Sequence, residues 1–244
     1  MIRLVAVTLR LRGQLVLDAV TMEARSGELL VIEGGRAAGK TKLLEIAGAR
    51  RRPDSGEVWI ANHNVMTLQR DSLPFVRRNI GTASGTPRFL AGLTVLENVM
   101  LPLGARAEPV AWAREAALRA LGKVGVVGLA TENPKTLSSS ALRLVAIARA
   151  LAGSPPLLLL DDPSASLASV DSGAVLSAML GAAESGATVV CASTDGAFCA
   201  AATRAGARRL RLEAGRVSVG AGPIALVGAG RAAERLAQKR GSVP

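Results

Sequence analysis

The run Glu28-Leu29-Leu30-Val31-Ile32-Glu33, continuing into Gly34-Gly35-Arg36-Ala37-Ala38-Gly39-Lys40-Thr41, decides the fold. Its first six residues have the length and apolar content of a buried strand. The next eight fit G-x4-G-K-[ST], and a helix is predicted from about Lys40 to Ala47. A glycine-rich turn between strand and helix presents several backbone N–H groups, and the helix N-terminus adds partial positive charge. Such a turn cradles phosphates, with Lys40 reaching the terminal ones and the Thr41 hydroxyl meeting Mg²⁺. Gly34, Gly35, Arg36, Ala37, Ala38, Gly39, Lys40 and Thr41 are therefore expected to hold ATP with Mg²⁺.

Toward the C-terminus, Pro155-Pro156 ends a helix. Leu157-Leu158-Leu159-Leu160 then reads as a fully buried strand that delivers Asp161 and Asp162 to its end. An Asp in that place can hold Mg²⁺ through water, so Thr41 and Asp161 are the expected metal pair. Lys40 and Asp161 should then meet at the C-terminal ends of parallel strands. Toward the N-terminus, Arg3–Thr8 and Val16–Thr21 read as edge-type antiparallel strands, and Ser55-Gly56 marks a turn before a strand Glu57–Ile60. The middle, about 87–152, is helix-rich. There Thr94 and Glu97 make a capping box, and Pro109 opens a helix to about Lys123 with Ala113, Ala117, Leu118 and Leu121 on one face. Ala187–Ala192 and Ala207–Leu212 read as further buried strands. Apolar runs alternating with helices give an α/β class.

Composition narrows the function classes. The 244 residues can bury a sizeable core, and 49% hydrophobic with 20% charged residues excludes wholesale disorder. With no Tyr, three Phe and two Trp there are few stacking platforms, which disfavours nucleic acid as a partner. Two cysteines, Cys191 and Cys199, exclude a disulfide framework and a four-ligand zinc site. Lys plus Arg at 30 against Asp plus Glu at 19 leaves +11, with nine basic and two acidic residues between Arg204 and Arg240. Such charge favours polyanionic partners, anionic lipid among them. No apolar run approaches the roughly 18 residues of a membrane span, and the first residues lack the apolar core of a signal peptide. The expected location is cytoplasmic, peripheral at the inner membrane through a partner. His63, the single histidine, reads as a solvated loop residue.

Over residues 1–219 the order of segments resembles the ABC-type ATPase nucleotide-binding domain. Pro74-Phe75-Val76-Arg77-Arg78-Asn79-Ile80-Gly81, Leu93-Thr94-Val95-Leu96-Glu97-Asn98-Val99 with Leu101-Pro102-Leu103, and Val145-Ala146-Ile147-Ala148-Arg149-Ala150 are similar to FtsE-type cell-division ATPases in particular. The resemblance implies an ABC ATPase (P-loop NTPase) core with an antiparallel β subdomain and a helical subdomain at about 87–152, followed by a glycine-rich then basic tail at 220–244. It implies an FtsX-like integral membrane partner governing cell-wall hydrolases. It also implies a homodimer, or a heterodimer with an intact ATPase paralogue. Lipoprotein-release and macrolide-export ATPases share most of this framework.

Against that family pattern, many functional positions are altered. The adenine-stacking aromatic is replaced by Leu11, the third loop glycine by Ala37, and the second hydroxyl residue after Lys40 by Lys42. The Q-loop glutamine aligns with Gly85. The signature LSGGQ reads Leu137-Ser138-Ser139-Ser140-Ala141, whose added side chains obstruct approach to a γ-phosphate on the opposite subunit. Asp162 stands for the catalytic glutamate, one methylene short. Ala168 replaces the D-loop aspartate, and Thr194 the switch histidine. A positioned acid–base group is worth ~10²–10⁴ in rate. Nucleotide binding with weak or lost hydrolysis is expected. Of the apolar residues Phe89, Leu90, Leu93, Val95, Leu96 and Val99 between about Gly81 and Leu103, about half are expected to face the domain core and the others to line an apolar cleft for the membrane partner. The alternative is a nucleotide-independent scaffold. Ala225–Ala233 mimics a dinucleotide fingerprint without room for a βαβ unit, and Arg231, Arg235 and Lys239 form a basic stripe.

Overall fold

A computed structural model describes residues 1–219. The tail, with its fingerprint-like segment and basic stripe, lies outside the described residues. The chain opens on a hairpin of β1 (Ile2–Leu11) and β2 (Gln14–Ala24), followed by β3 (Leu29–Glu33) and helix α1 (Lys40–Ala47). Next come β4 (Ser55–Ile60), the two-residue β5 (His63–Asn64), the short helix α2 (Leu73–Arg77) and β6 (Ile80–Ala83). Three helices follow: α3 (Val95–Gly104), α4 (Val110–Lys123) and α5 (Ser139–Leu151). The chain then alternates as β7 (Leu157–Asp161), α6 (Ser169–Glu184), β8 (Thr188–Ser193), α7 (Gly196–Arg204), β9 (Arg208–Glu213) and β10 (Arg216–Val219).

The strands form two sheets, ordered β2-β1-β4-β5 and β10-β9-β3-β8-β7-β6. The first is antiparallel. In the second, β9, β3, β8, β7 and β6 run parallel and β10 closes it with an antiparallel edge. Asp18 N–H donates to Gly215 O at 2.9 Å and the Arg216 guanidinium pairs with Asp18, which ties the sheets together. Three sequence expectations shift here. β1 is flanked by β2 and β4 and is no edge strand. Ser55-Gly56 belongs to β4, with Gly56 at φ +96°. His63 sits in the exposed strand β5.

Burial follows the sequence pattern closely. All five residues of β7 are buried, as are all six of β8. Each buried leucine contributes about 1.5–3 kcal/mol. Leu157 to Leu160 together offset the cost of carrying Asp161 into a poorly hydrated strand end. The helical middle is fastened by polar contacts. Glu97 N–H donates to Thr94 Oγ1 at 3.2 Å, and Thr94 N–H donates to Glu97 Oε2 at 2.7 Å, the expected capping box. Asn98, fully buried, donates from Nδ2 to the carbonyls of Leu90, Leu93 and Thr94 and accepts from Leu90 N–H. It fixes the loop that leads into α3.

Packing divides the six apolar residues from Phe89 to Val99. Val95, Leu96 and Val99 are turned into the core, where Phe89 packs partly buried beneath the Arg149 guanidinium. Leu90 is exposed and Leu93 half-buried. The inward face of α3 takes up half of that set. The groove between the core and the helices is lined by arginines instead.

Candidate functional site

The glycine-rich loop springs from β3, which lies between β8 and β9. Gly34 N–H donates to Ser193 O on β8, while a Cβ at Gly34 would stand 2.5 Å from Leu212 O on β9. Gly39 has φ +100°, and a Cβ there would meet Leu17 Cδ2 and Val16 O at 2.9 Å. The loop thus packs against the β1–β2 hairpin whose tip follows Leu11. Ala37 occupies the left-handed region at φ +62°, a strain of roughly 1–2 kcal/mol for a residue with a Cβ.

Lys40 is buried at the start of α1, its Nζ donating to Gly34 O at 2.9 Å and Gly35 O at 2.8 Å. The ammonium is folded over its own loop, where phosphate oxygens would compete for it. Thr41 Oγ1 donates to Asp161 Oδ2 at 2.7 Å, joining two elements far apart in sequence. Lys42 turns away from the loop to pair with Glu45 at 2.6 Å. Arg36 and Gly35 are exposed at the crest, and Ala38 is half-buried. The expected convergence of Lys40, Thr41 and Asp161 is therefore realised.

Asp161 Oδ1 is buried with no hydrogen-bond partner. Burial pushes its carboxyl above the ordinary aspartate range, with Asp162 adding to the rise, while Thr41, Lys40 and the Gly85 N–H pull the other way. An orphaned acceptor beside a Thr hydroxyl fits a divalent cation. Among the described residues no group of three or more His, Cys, Asp or Glu forms a protein cage for one. That suits Mg²⁺, which keeps waters and phosphate oxygens and takes one or two protein ligands. Thr41 and Asp161 would hold it, and bound Mg²⁺ supplies charge that neutralises the β- and γ-phosphates.

Protonation of the folded state is favoured by this raised pKa. The stability that Asp161 lends is present below its ordinary value of 3.8 and is lost as pH rises through the folded-state value. At neutral pH the buried carboxylate is a net cost. Asp161→Asn should therefore raise the melting temperature of the nucleotide-free protein at pH 7. The gap should close as pH falls below about 4. An unchanged or lower melting temperature at pH 7 would contradict the assignment.

Asp162, at φ +46°, follows at the strand end. Its Oδ1 accepts from Thr194 N–H at 2.6 Å and from Thr194 Oγ1 at 3.1 Å. The two positions expected to carry acid–base chemistry are thus bonded to each other. Gly85 borders the same corner: a Cβ there would be 3.8 Å from Asp161 Oδ2. Ser138 caps α5, accepting from Ala141 N–H at 3.2 Å, and its hydroxyl meets that of Ser140 at 2.9 Å. Ala168 is the N-cap residue of α6 and provides no side-chain cap.

Sequence reading missed Arg143, which braces this corner. It donates to Asp162 O and to Gly85 O, both at 2.9 Å, and its Nε is buried without a partner. One guanidinium bolts α5 to the loop after β6 and to the end of β7. The available signal was a single charge inside the apolar run Leu142-Arg143-Leu144-Val145.

Residues 17–165 match the family model described as ABC transporter. The chain is 35% identical over 205 residues to the lipoprotein-releasing system ATP-binding protein LolD of Chromohalobacter salexigens, covering 83% of this chain and 85% of that protein. It is 34% identical over 160 residues to the cell division ATP-binding protein FtsE of Escherichia coli, covering 64% and 71%. Among solved structures, the dimeric bacterial ABC transporter cassette MJ0796 superposes with a TM-score of 0.81 at 32% identity, over 89% of this chain and 97% of that one. The same cassette is known in a post-hydrolysis state bound to ADP and Pi. ATP with Mg²⁺ is the ligand of such cassettes, and Lys40, Thr41 and Asp161 stand ready for it. With this loop, this sheet order and these relatives, the chain belongs to the ABC transporter family as one of its ATP-binding cassettes.

Proposed function

We propose that this cassette is the nucleotide-binding subunit of an FtsEX-like membrane complex and that it uses ATP chiefly by binding it. One contrast carries the reading. The Thr41–Asp161 pair is intact and leaves an orphaned oxygen for Mg²⁺, while Asp162 is committed to Thr194. Binding parts are preserved where hydrolytic parts are not. A subunit of this kind couples nucleotide occupancy to a membrane partner, either as a homodimer or beside an intact paralogue. The described residues contain no helix long and apolar enough to cross a membrane, so an integral partner would supply the anchor.

A second reading, the ATP-binding subunit of a lipoprotein-release system, draws support from coverage. The LolD relative aligns with 83% of the chain, against 64% for the cell-division relative. The partner distinguishes them. Affinity purification from membranes of the source cells should bring down an FtsX-type protein on the first reading and a LolC- or LolE-type protein on the second.

ATP with Mg²⁺ at 100 times its dissociation constant should stabilise the protein by about 2.7 kcal/mol, a melting shift of roughly 5–10 °C. Lys40→Ala should abolish that shift. A wild-type protein whose melting temperature ignores nucleotide would instead be a nucleotide-independent scaffold.

A further inference from the structure

Arg143 lies in the first half of α5, and the residues that follow it, Leu144 to Ala148, are all buried. A neutral side chain would pack there at less desolvation cost than a guanidinium. Among the described residues Arg143 takes part in no ion pair. Its fork is spent on two backbone carbonyls, Nη1 on Asp162 O and Nη2 on Gly85 O, both at 2.9 Å, and its Nε is buried without a partner. Both carbonyls belong to residues that flank Asp161 in space.

Each of these two residues is pinned at both its N–H and its C=O. Asp162 N–H donates to Ala192 O at 2.7 Å while its carbonyl accepts from Arg143. The Gly85 N–H faces the Asp161 carboxyl while its carbonyl accepts from the other arm of the fork. Glycine has wide backbone freedom, so this residue needs an outside tether to hold one orientation. Thr41 Oγ1 engages Asp161 Oδ2 at 2.7 Å, and Asp161 Oδ1 is left buried and unbonded. The groups acting directly on the Asp161 carboxyl are Thr41, Asp162, Lys40 and the Gly85 N–H, and Arg143 is not one of them. Its influence passes through Gly85 and Asp162, by position and not by charge.

We infer that Arg143 is a positioning residue for the metal: by fixing Gly85 and Asp162, it keeps Asp161 Oδ1 aimed at the Mg²⁺ that accompanies the nucleotide. The inference deepens the proposed function and rests on that reading for the ligand. Groups that orient a metal-binding side chain typically set about 10–100-fold in metal affinity. Metal-free nucleotide depends on the glycine-rich loop and Lys40, to which Arg143 makes no bond. The effect of Arg143 should therefore fall on the metal and spare the nucleotide. The planar fork is needed as well as the charge. A lysine offers one nitrogen and cannot span two carbonyls on separate segments as a guanidinium does.

The test measures the ATP affinity of the full chain in excess Mg²⁺ and in EDTA, and the ratio of the two reads the metal's share. Arg143→Gln should shrink that ratio about tenfold or more, with the affinity in EDTA within about twofold of wild type. Arg143→Lys should behave like Arg143→Gln. Arg106→Gln is the control. It removes the other arginine whose Nε is buried and unpartnered, one bonded to Gly153 just past the far end of α5, and should leave the ratio unchanged. Equal losses in Mg²⁺ and EDTA, an unchanged ratio in Arg143→Gln, or full rescue by lysine would overturn the inference. So would loss of folding in both Arg143 variants, which would make the residue a structural brace only, or a wild type that binds ATP equally with and without Mg²⁺. A wild type that binds no ATP in either condition removes the nucleotide reading and this inference together, so the two failures are told apart.

Discussion

Steady-state ATP turnover by the purified protein should lie at least about 10³-fold below the ~10 s⁻¹ typical of enzymes. The carboxylate expected to orient water, Asp162, is one methylene shorter than glutamate, and its Oδ1 already accepts both the N–H and the hydroxyl of Thr194. A misplacement near 1 Å can cost about 10²-fold by itself. Thr194 carries no group that titrates near neutrality, so the acid–base position is lost as well. Ser139 and Ser140 add side chains at the start of α5, where the family pattern has glycines. These losses overlap and do not multiply fully. Asp162→Glu combined with Thr194→His should therefore recover only part of the rate, about 10²-fold. Turnover near 10 s⁻¹ in the wild type, abolished by Lys40→Ala, would refute this expectation.

Gly81→Ala should destabilise the fold by about 3 kcal/mol or more, a fall of roughly 10 °C in melting temperature. Gly81 sits in the middle of β6, buried between β7 and α5. A Cβ there would stand 2.1 Å from Ala150 O and 2.7 Å from both Leu158 Cδ2 and Pro155 Cγ. The nearest of these is a backbone carbonyl in a helix and cannot swing aside. Relief requires α5 to move off the sheet, which would also pull Arg143 from Gly85 and Asp162. Gly85→Ala is the informative control, because its Cβ would meet Asp161 Oδ2 only at 3.8 Å. A Gly81→Ala protein melting within about 2 °C of wild type would show that the contact relaxes easily.

The sequence by itself determined the phosphate-binding loop, the buried strand that ends at Asp161, most of the other strands, and the capping box at Thr94. Each is a local pattern, in which apolar period, glycine spacing or cap chemistry acts within a few residues. Their convergence was legible too, because a strand–loop–helix unit and a buried acidic strand end share one edge of a parallel sheet. The tertiary structure alone decided which charges are compensated. The basic residues of β9 and β10 look like free surface in sequence, but β3 and β2 bring Glu28, Glu33 and Asp18 to them. The scattered arginines from Arg50 to Arg149 have no pattern in sequence, and chain folding gathers them into one groove without carboxylates. Folding also turned Val95 and Val99 inward and placed Arg143 between two backbone carbonyls. Pairing and repulsion depend on distances of a few ångströms between remote residues, and no local pattern encodes such distances.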